Sequence, residues 1–195
     1  MEDKVKEFIE IFNTYITRDG SKELLDFLMK SDFFQAPAST RFHSNIKGGL
    51  CLHSINVFNR FKKNLIDEWG ENYKNFISDE SIAICGLLHD ICKVNTYKED
   101  FKNVKVDGQW IQKPYFSVDD KLPYGHGEKS VYIINGFIRL TREEAMIINW
   151  HMGAFDLRVQ GGSYALSDVF YSYPTALLFH VSDIEATYLD EQISN

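Results

Sequence analysis

The chain lacks any long apolar run, and that absence limits where the protein can reside. No stretch of its 195 residues approaches the length needed to span a bilayer. Residues 1–10 are rich in Glu, Asp and Lys, and they contain no apolar segment of the kind that a signal peptide carries. We therefore expect a cytoplasmic protein that has no membrane partner.

Cysteine is scarce, which argues against a disulfide framework. The three cysteines, Cys51, Cys85 and Cys92, are odd in number, and each lies in an apolar stretch that favours a helix. This usage is typical of a reducing compartment. Because apolar residues make up 44% of the chain, a packed core can form without covalent links. We expect three buried thiols, and the sequence does not suggest cysteine ligation of a metal.

Positive charge is also in deficit. Lys and Arg number 21 against 28 Asp and Glu, which gives a net charge of -7. Non-specific binding to duplex nucleic acid depends on clustered Lys and Arg, so we expect no duplex partner. A small phosphorylated substrate is easier to accommodate, because a metal centre can supply local positive charge whatever the overall balance.

Neither an internal repeat nor a low-complexity tract divides the chain, and 195 residues suit one domain spanning 1–195. Apolar residues recur at three- and four-residue intervals in most segments, which predicts an all-α fold. The first two helices, within residues 1–32, are expected to pack on the core. Helices are predicted over about 5–15, 21–31, 48–61, 81–94, 128–138, 142–151 and 174–186. Ser21 is the expected cap of the second helix, Thr141 and Glu144 form an expected capping box before the sixth, and a loop is expected at Gly161-Gly162.

One segment departs from the helical pattern. Val104 and Val106 alternate with polar residues up to Asp107-Gly108, and Trp110 follows. Asp-Gly between two such runs indicates a β-hairpin with a tight primed turn. We predict a small hairpin insertion at about 101–116, which could serve as a lid or as a contact in a homo-oligomer.

The polar residues with most chemical potential are histidines next to carboxylates. Imidazole and carboxylate together form the mixed nitrogen and oxygen set that Fe, Mn, Co, Ni or Zn accepts. The most specific local feature is His89-Asp90, because two polar side chains at the end of an apolar helix need partners. The two oxygens of Asp90 can bridge two metals, and Lys93 can offer a cation to a phosphate.

Three motifs follow one another along the chain. The first is GGLCLHS, which contains His53. The second is LLHDICK, which contains His89-Asp90, and the third is HVSD, which ends at Asp183. In this order they resemble the HD superfamily of metal-dependent phosphohydrolases, which is named after such a His-Asp pair. The resemblance spans roughly residues 43 to 190.

The resemblance implies an HD-domain helical bundle in which one divalent metal is held by His53, His89, Asp90 and Asp183. In the subset of the superfamily that binds two metals, two further histidines hold the second ion and the central Asp is shared. His126 and His151 occupy those places here. Two ions per chain are therefore expected, with Fe or Mn favoured and Mg, Ni, Co or Zn as other candidates.

The implied activity is hydrolysis of a nucleotide or another small phosphate ester by metal-activated water. Asp90, Lys93 and His151 are the expected catalytic residues, and Lys93 and His43 are the expected substrate contacts. Two alternatives stay open: a single-strand exonuclease or cyclic-nucleotide phosphodiesterase, and a non-catalytic ligand-sensing module that retains its metal. The intact set of ligands disfavours the second alternative.

Overall fold

The computed structural model describes residues 2–40 and 44–191, and this part of the chain is mostly helical. Its α-helices are α1 (Glu2–Tyr15), α2 (Ser21–Lys30), α3 (Gly49–Trp69), α4 (Asp79–Leu88), α5 (His126–Asn135), α6 (Arg142–Trp150), α7 (Leu157–Gln160), α8 (Ala165–Ser172) and α9 (Pro174–Glu185). Short 3-10 turns span Gly70–Asn75, Ile91–Lys93 and Gly153–Phe155, and a π-helical turn spans Ala186–Asp190. None of the helices described is both long enough and apolar enough to cross a membrane.

The predicted hairpin is present and is longer than expected. Strands β1 (Tyr97–Val106) and β2 (Gln109–Val118) pair antiparallel, whereas the sequence placed the hairpin at about 101–116. Asp107 and Gly108 form the turn, with φ values of 50° and 84°. Positive φ at both central residues defines the primed turn that matches the twist of paired strands.

Helix α3 lies at the centre of the molecule and packs against α1, α4 and α9. Helix α4 is buried from Ile82 to Leu88, so it is apolar on all sides. Its Gly86 lies against α3, where a Cβ atom would come within 2.6 Å of the Phe58 Cα. The N-terminal helices join the same hydrophobic cluster, as predicted, through buried Phe and Leu side chains of α1 and α2.

The helix ends place polar side chains where the core meets a cavity. The predicted capping box is confirmed: the Thr141 hydroxyl accepts a hydrogen bond from the Glu144 N–H, and the Glu144 carboxylate accepts one from the Thr141 N–H. At the C-terminal ends of α4 and α6, the next residues are His89 and His151, respectively. Both imidazoles therefore emerge from the last turn of a buried helix.

Three local expectations were wrong. Ser21 is the first residue of α2, and the preceding cap position is taken by Gly20 with a left-handed backbone. The helix predicted over 81–94 ends at Leu88, and a separate 3-10 turn begins at Ile91. The region between His151 and Pro174 contains α7 and α8, in addition to the predicted loop at Gly161-Gly162.

Candidate metal centre

The structure brings all the predicted ligand residues to one place. Each is positioned by a separate element, except that His89 and Asp90 are neighbours after α4. His53 lies in the second turn of α3, and His126 is the first residue of α5. His151 follows α6, and Asp183 lies in the last turns of α9.

Asp90 is buried at the centre of this group, and its two oxygens face different histidines. Asp90 Oδ2 is 3.6 Å from Nε2 of His53 and 3.6 Å from Nε2 of His89. Asp90 Oδ1 is 2.8 Å from Nε2 of His126 and 3.5 Å from Nε2 of His151. One carboxylate thus has a separate pair of imidazoles on each oxygen.

Asp183 completes the first of these two groups. Its Oδ1 is 3.2 Å from Nε2 of His53, and that nitrogen is 3.3 Å from Nε2 of His89. Two ligand atoms that each lie about 2.1 Å from one ion, at near-tetrahedral or near-octahedral angles, are separated by roughly 3.0 to 3.4 Å. The buried imidazoles and carboxylates therefore fit a divalent cation both in donor type and in spacing.

Backbone carbonyls fix the orientation of two of the imidazoles. Nδ1 of His89 lies 3.0 Å from the Gly86 carbonyl oxygen, and Nδ1 of His151 lies 2.7 Å from the Ile148 carbonyl oxygen. A carbonyl oxygen can only accept, so Nδ1 carries the hydrogen in both rings. In the neutral form of each ring, Nε2 is then the lone-pair donor, and it faces Asp90, which is the orientation that metal-ligating histidines require.

Glu191, which the sequence analysis missed, orients the imidazole of His53. Its Oε1 is 2.9 Å from Nδ1 of His53 and accepts a hydrogen bond of 3.1 Å from the Asn56 amide. The Ser44 hydroxyl donates to Oε2 at 2.6 Å. Glu191 follows the π-helical turn and is buried. The one signal in the sequence is an acidic residue soon after Asp183, which does not reveal a partner on α3.

The electrostatic environment prepares part of the site for a cation. Burial lowers the pKa of His89 to about 3, so its imidazole is neutral. Burial alone would raise the pKa of Asp90, but the Lys93 ammonium and the hydrogen bond with His126 outweigh it and hold that pKa well below its usual range. Neutral imidazole and ionised carboxylate are the forms that bind metals.

His53 and His126 are instead stabilised as cations. Desolvation opposes their protonation, yet Asp183 and Glu191 raise the pKa of His53 to about 10. Against the same desolvation, Cys92 and Asp90 raise the pKa of His126 to about 10. A metal that binds these two nitrogens must therefore displace protons.

Lys93 and the two other histidines of the chain have different placements. Lys93 lies beside the ligands, with its Nζ 2.5 Å from Asp90 Oδ2. His180, one turn before Asp183, donates from Nδ1 to the His151 backbone carbonyl at 2.6 Å, which supports the turn that carries His151. His43, the other predicted substrate contact, lies outside the residues that the structure describes.

The ligands lie in an open cavity of about 710 Å³. Lys93 and the ligand side chains form its polar part, and the hairpin contributes Tyr97 at its base. Apolar side chains of Met152, Phe155 and Ile184 form another part of the wall. The cavity therefore combines a charged region with an apolar surface, as small-molecule sites usually do.

No protein-family model, curated protein or solved structure matches this chain.

Proposed function

We propose that the chain is an HD-type, metal-dependent phosphohydrolase that acts on a nucleotide or another small phosphate ester. The observation that supports this best is the position of Asp90, whose two oxygens face different pairs of imidazoles beside an open cavity. A shared carboxylate of this kind suits a pair of divalent ions.

Each ligand has a role in this proposal. His53, His89 and Asp183 would hold one ion together with Oδ2 of Asp90. His126 and His151 would hold the second together with Oδ1 of Asp90. Bound ions of this type lower the pKa of water and neutralise charge on a phosphoryl group. Iron and manganese are the first metals to test, because both accept mixed nitrogen and oxygen ligands.

The cavity supports a substrate with one charged and one apolar part. The Lys93 ammonium lies among the ligands and would contact a phosphate oxygen. Phe155 and Ile184 in the wall would contact a nucleobase or an aryl group. The net charge of -7 disfavours long polyanionic substrates.

A hydrolysis assay with defined metals tests this proposal. We expect protein loaded with Mn²⁺ or Fe²⁺ to hydrolyse an aryl phosphate monoester or diester and then members of a nucleotide set. Asp90→Asn should lower the rate by about a hundredfold or more, since it removes a charge shared by both ions. Asp67→Asn, which changes an exposed residue paired with Lys63, should leave the rate unchanged.

The outcomes separate the candidate activities. Turnover of the diester and of short oligonucleotides, without turnover of monoesters, would assign the exonuclease or phosphodiesterase alternative. Failure to hydrolyse any ester with any of the metals, in protein that contains two ions per chain, would contradict catalysis and favour a ligand-sensing role.

A further inference from the structure

A thiol lies next to the half of the site that would hold the second ion. Cys92 Sγ is 3.5 Å from Nδ1 and 3.6 Å from Nε2 of His126, and the same Nε2 is 2.8 Å from Asp90 Oδ1. We propose that Cys92 is a ligand of the second metal ion, together with Asp90 and His126. This inference rests on the metal centre of the proposed function but not on its substrate.

The local backbone holds the thiol and the imidazole together. Cys92 lies in the 3-10 turn after Asp90, and its N–H donates to the Ser130 hydroxyl at 3.2 Å. Ser130 is one turn after His126 on α5, and α5 packs against the turn that carries Cys92. Both side chains are therefore fixed by the same contact between two elements.

Helix α5 is also held from its other side. Gly127, next to His126, lies so close to α6 that a Cβ atom would come within 2.2 Å of the Asn149 carbonyl oxygen. Only glycine allows this approach of the two backbones. His126 is thus confined between α6 and the Cys92 turn.

The distances fit a shared ion. A tetrahedral ion bound to sulfur at about 2.3 Å and to nitrogen at about 2.0 Å places the two ligand atoms roughly 3.5 Å apart. The separation of Cys92 Sγ from Nε2 of His126 is 3.6 Å. Because Sγ is also 3.5 Å from Nδ1, the His126 ring must turn for the Nε2 lone pair to point at an ion beside Sγ. Cys51, in contrast, donates to the Lys4 carbonyl, and Cys85 is buried in the core away from these ligands. Among the described residues, Cys92 is the one cysteine grouped with other potential ligands.

A thiolate would make the two metal positions chemically different. The group of His53, His89 and Asp183 offers nitrogen and oxygen alone, whereas the second group would add sulfur. Thiolate favours Zn²⁺, Co²⁺ or Fe²⁺ over Mg²⁺ and Mn²⁺. Metal ions bind deprotonated ligands, so uptake of the second ion should release protons.

Cobalt spectroscopy tests this inference without any substrate. Metal-free protein is titrated with Co²⁺ under anaerobic conditions, and we expect a near-ultraviolet thiolate-to-cobalt charge-transfer band in the wild type. Cys92→Ser should abolish the band and weaken binding of the second ion by about tenfold or more, because lost supporting groups alone cost that much. The visible cobalt bands of the first ion should persist, which also shows that the variant is folded.

Cys51→Ser is the matched control. Its hydroxyl can donate to the same Lys4 carbonyl, so the variant should fold and retain the charge-transfer band. A wild-type spectrum without the band, whether one or two equivalents bind, would overturn the inference, and so would a band that persists in Cys92→Ser. If Cys92→Ser does not fold, the wild-type and Cys51→Ser spectra decide.

The cobalt spectrum and the hydrolysis assay can each reject one proposal without rejecting the other. A charge-transfer band in protein that hydrolyses no ester leaves cysteine ligation standing and rejects the proposed activity. Hydrolysis by a protein whose cobalt form lacks the band supports the proposed activity and rejects cysteine ligation.

Discussion

Two buried carboxylates organise the candidate site, and they differ in what surrounds them. Asp90 is in contact with imidazoles and an ammonium, whereas Glu191 is bonded to an imidazole, a hydroxyl and an amide. Contacts with His53 lower the pKa of Glu191 against the effect of burial. An ionised buried carboxylate is stable only when its partners stay in place. Glu191 therefore fixes the ring of His53, while Asp90 faces the other potential ligands.

Glu191→Gln should weaken metal binding without unfolding the protein. The amide keeps the size of the side chain but accepts less strongly from Nδ1 of His53, so the imidazole becomes a poorer ligand. Loss of such a supporting group typically costs about tenfold to a hundredfold in metal affinity. Competition with a chromophoric chelator measures the change for Zn²⁺ or Mn²⁺.

Asp190→Asn is the control for that experiment. It alters the neighbouring residue, which pairs with Arg60 on the protein surface and does not contact a ligand. Its metal affinity should match the wild type. Equal affinities in Glu191→Gln and Asp190→Asn would show that Glu191 does not position His53.

The sequence predicted those site residues that stand in local motifs. His89 and Asp90 are adjacent, and His53 and Asp183 stand in recognisable strings, so their convergence could be expected from the resemblance that these strings carry. Glu191 and Cys92 could not be identified in the same way. Glu191 reaches His53 across 138 positions, and Cys92 meets His126 only because α5 packs on its turn. Tertiary packing creates both contacts.

At the scale of elements, strong helical periodicity was enough to predict most of the helices, and the Asp-Gly pair was enough to predict the hairpin. Helix α8 was missed because it is only eight residues long, and Val169 is its one buried residue. The end of α4 was also misplaced. No Gly or Pro lies between Leu87 and Val94 to mark the break, which reflects the polar partners that His89 and Asp90 find on other helices.

Glu80 connects three elements near the surface. Its Oε1 accepts hydrogen bonds from the backbone N–H groups of Thr17 and Arg18, at 2.7 and 3.1 Å. Its Oε2 is 3.2 Å from Arg18 Nη2, and Arg18 also binds the buried Glu144 of α6. The segment after α1 is thereby attached to α4 and α6.

We expect Glu80→Gln to lower the free energy of unfolding at pH 7 by about 1 to 2 kcal/mol, because hydrogen bonds to a charged group are lost. Despite partial burial, which would raise it, the pKa of Glu80 is lowered from 4.5 by Thr17 and Arg18. A carboxyl group whose pKa is lower in the folded state stabilises the fold when the pH is above its pKa in the unfolded state. This stabilisation is lost as the pH falls through its pKa in the folded state. The difference between wild type and variant should therefore shrink below pH 4.5 in urea titrations.

Glu71→Gln is the matched control, because Glu71 is highly exposed and its nearest cation, Lys74, is 3.7 Å away. It should change the free energy of unfolding by less than about 0.5 kcal/mol at every pH. A Glu80→Gln deficit that stays constant from pH 7 to pH 3 would contradict an ionic origin.

For the whole molecule, the candidate centre lies where α3, α4, α5, α6 and α9 meet. A cation bound there would contact several elements at once, and the unfolded chain would not preserve the arrangement. Saturating metal should therefore stabilise the native state as a whole.

Metal at a hundredfold excess over its dissociation constant should raise the free energy of unfolding by about 2.7 kcal/mol per site. The measurement is chemical denaturation of chelator-treated protein with and without added Mn²⁺ or Zn²⁺. Asp90→Asn should gain much less from the same addition. An equal gain in wild type and Asp90→Asn would place the bound ion elsewhere.

The position of His89 and His151 directly after buried helices also bears on how the chain can change in length during evolution. One residue inserted into α4 or α6 would turn the following imidazole by about 100° and advance it by about 1.5 Å, away from its neighbours. The far end of the hairpin has no such constraint, since Trp110 is 71% exposed and added strand pairs would leave Tyr97 where it is. Insertions and deletions in descendants of this sequence should therefore accumulate in the hairpin, while the residue counts of α4 and α6 stay fixed.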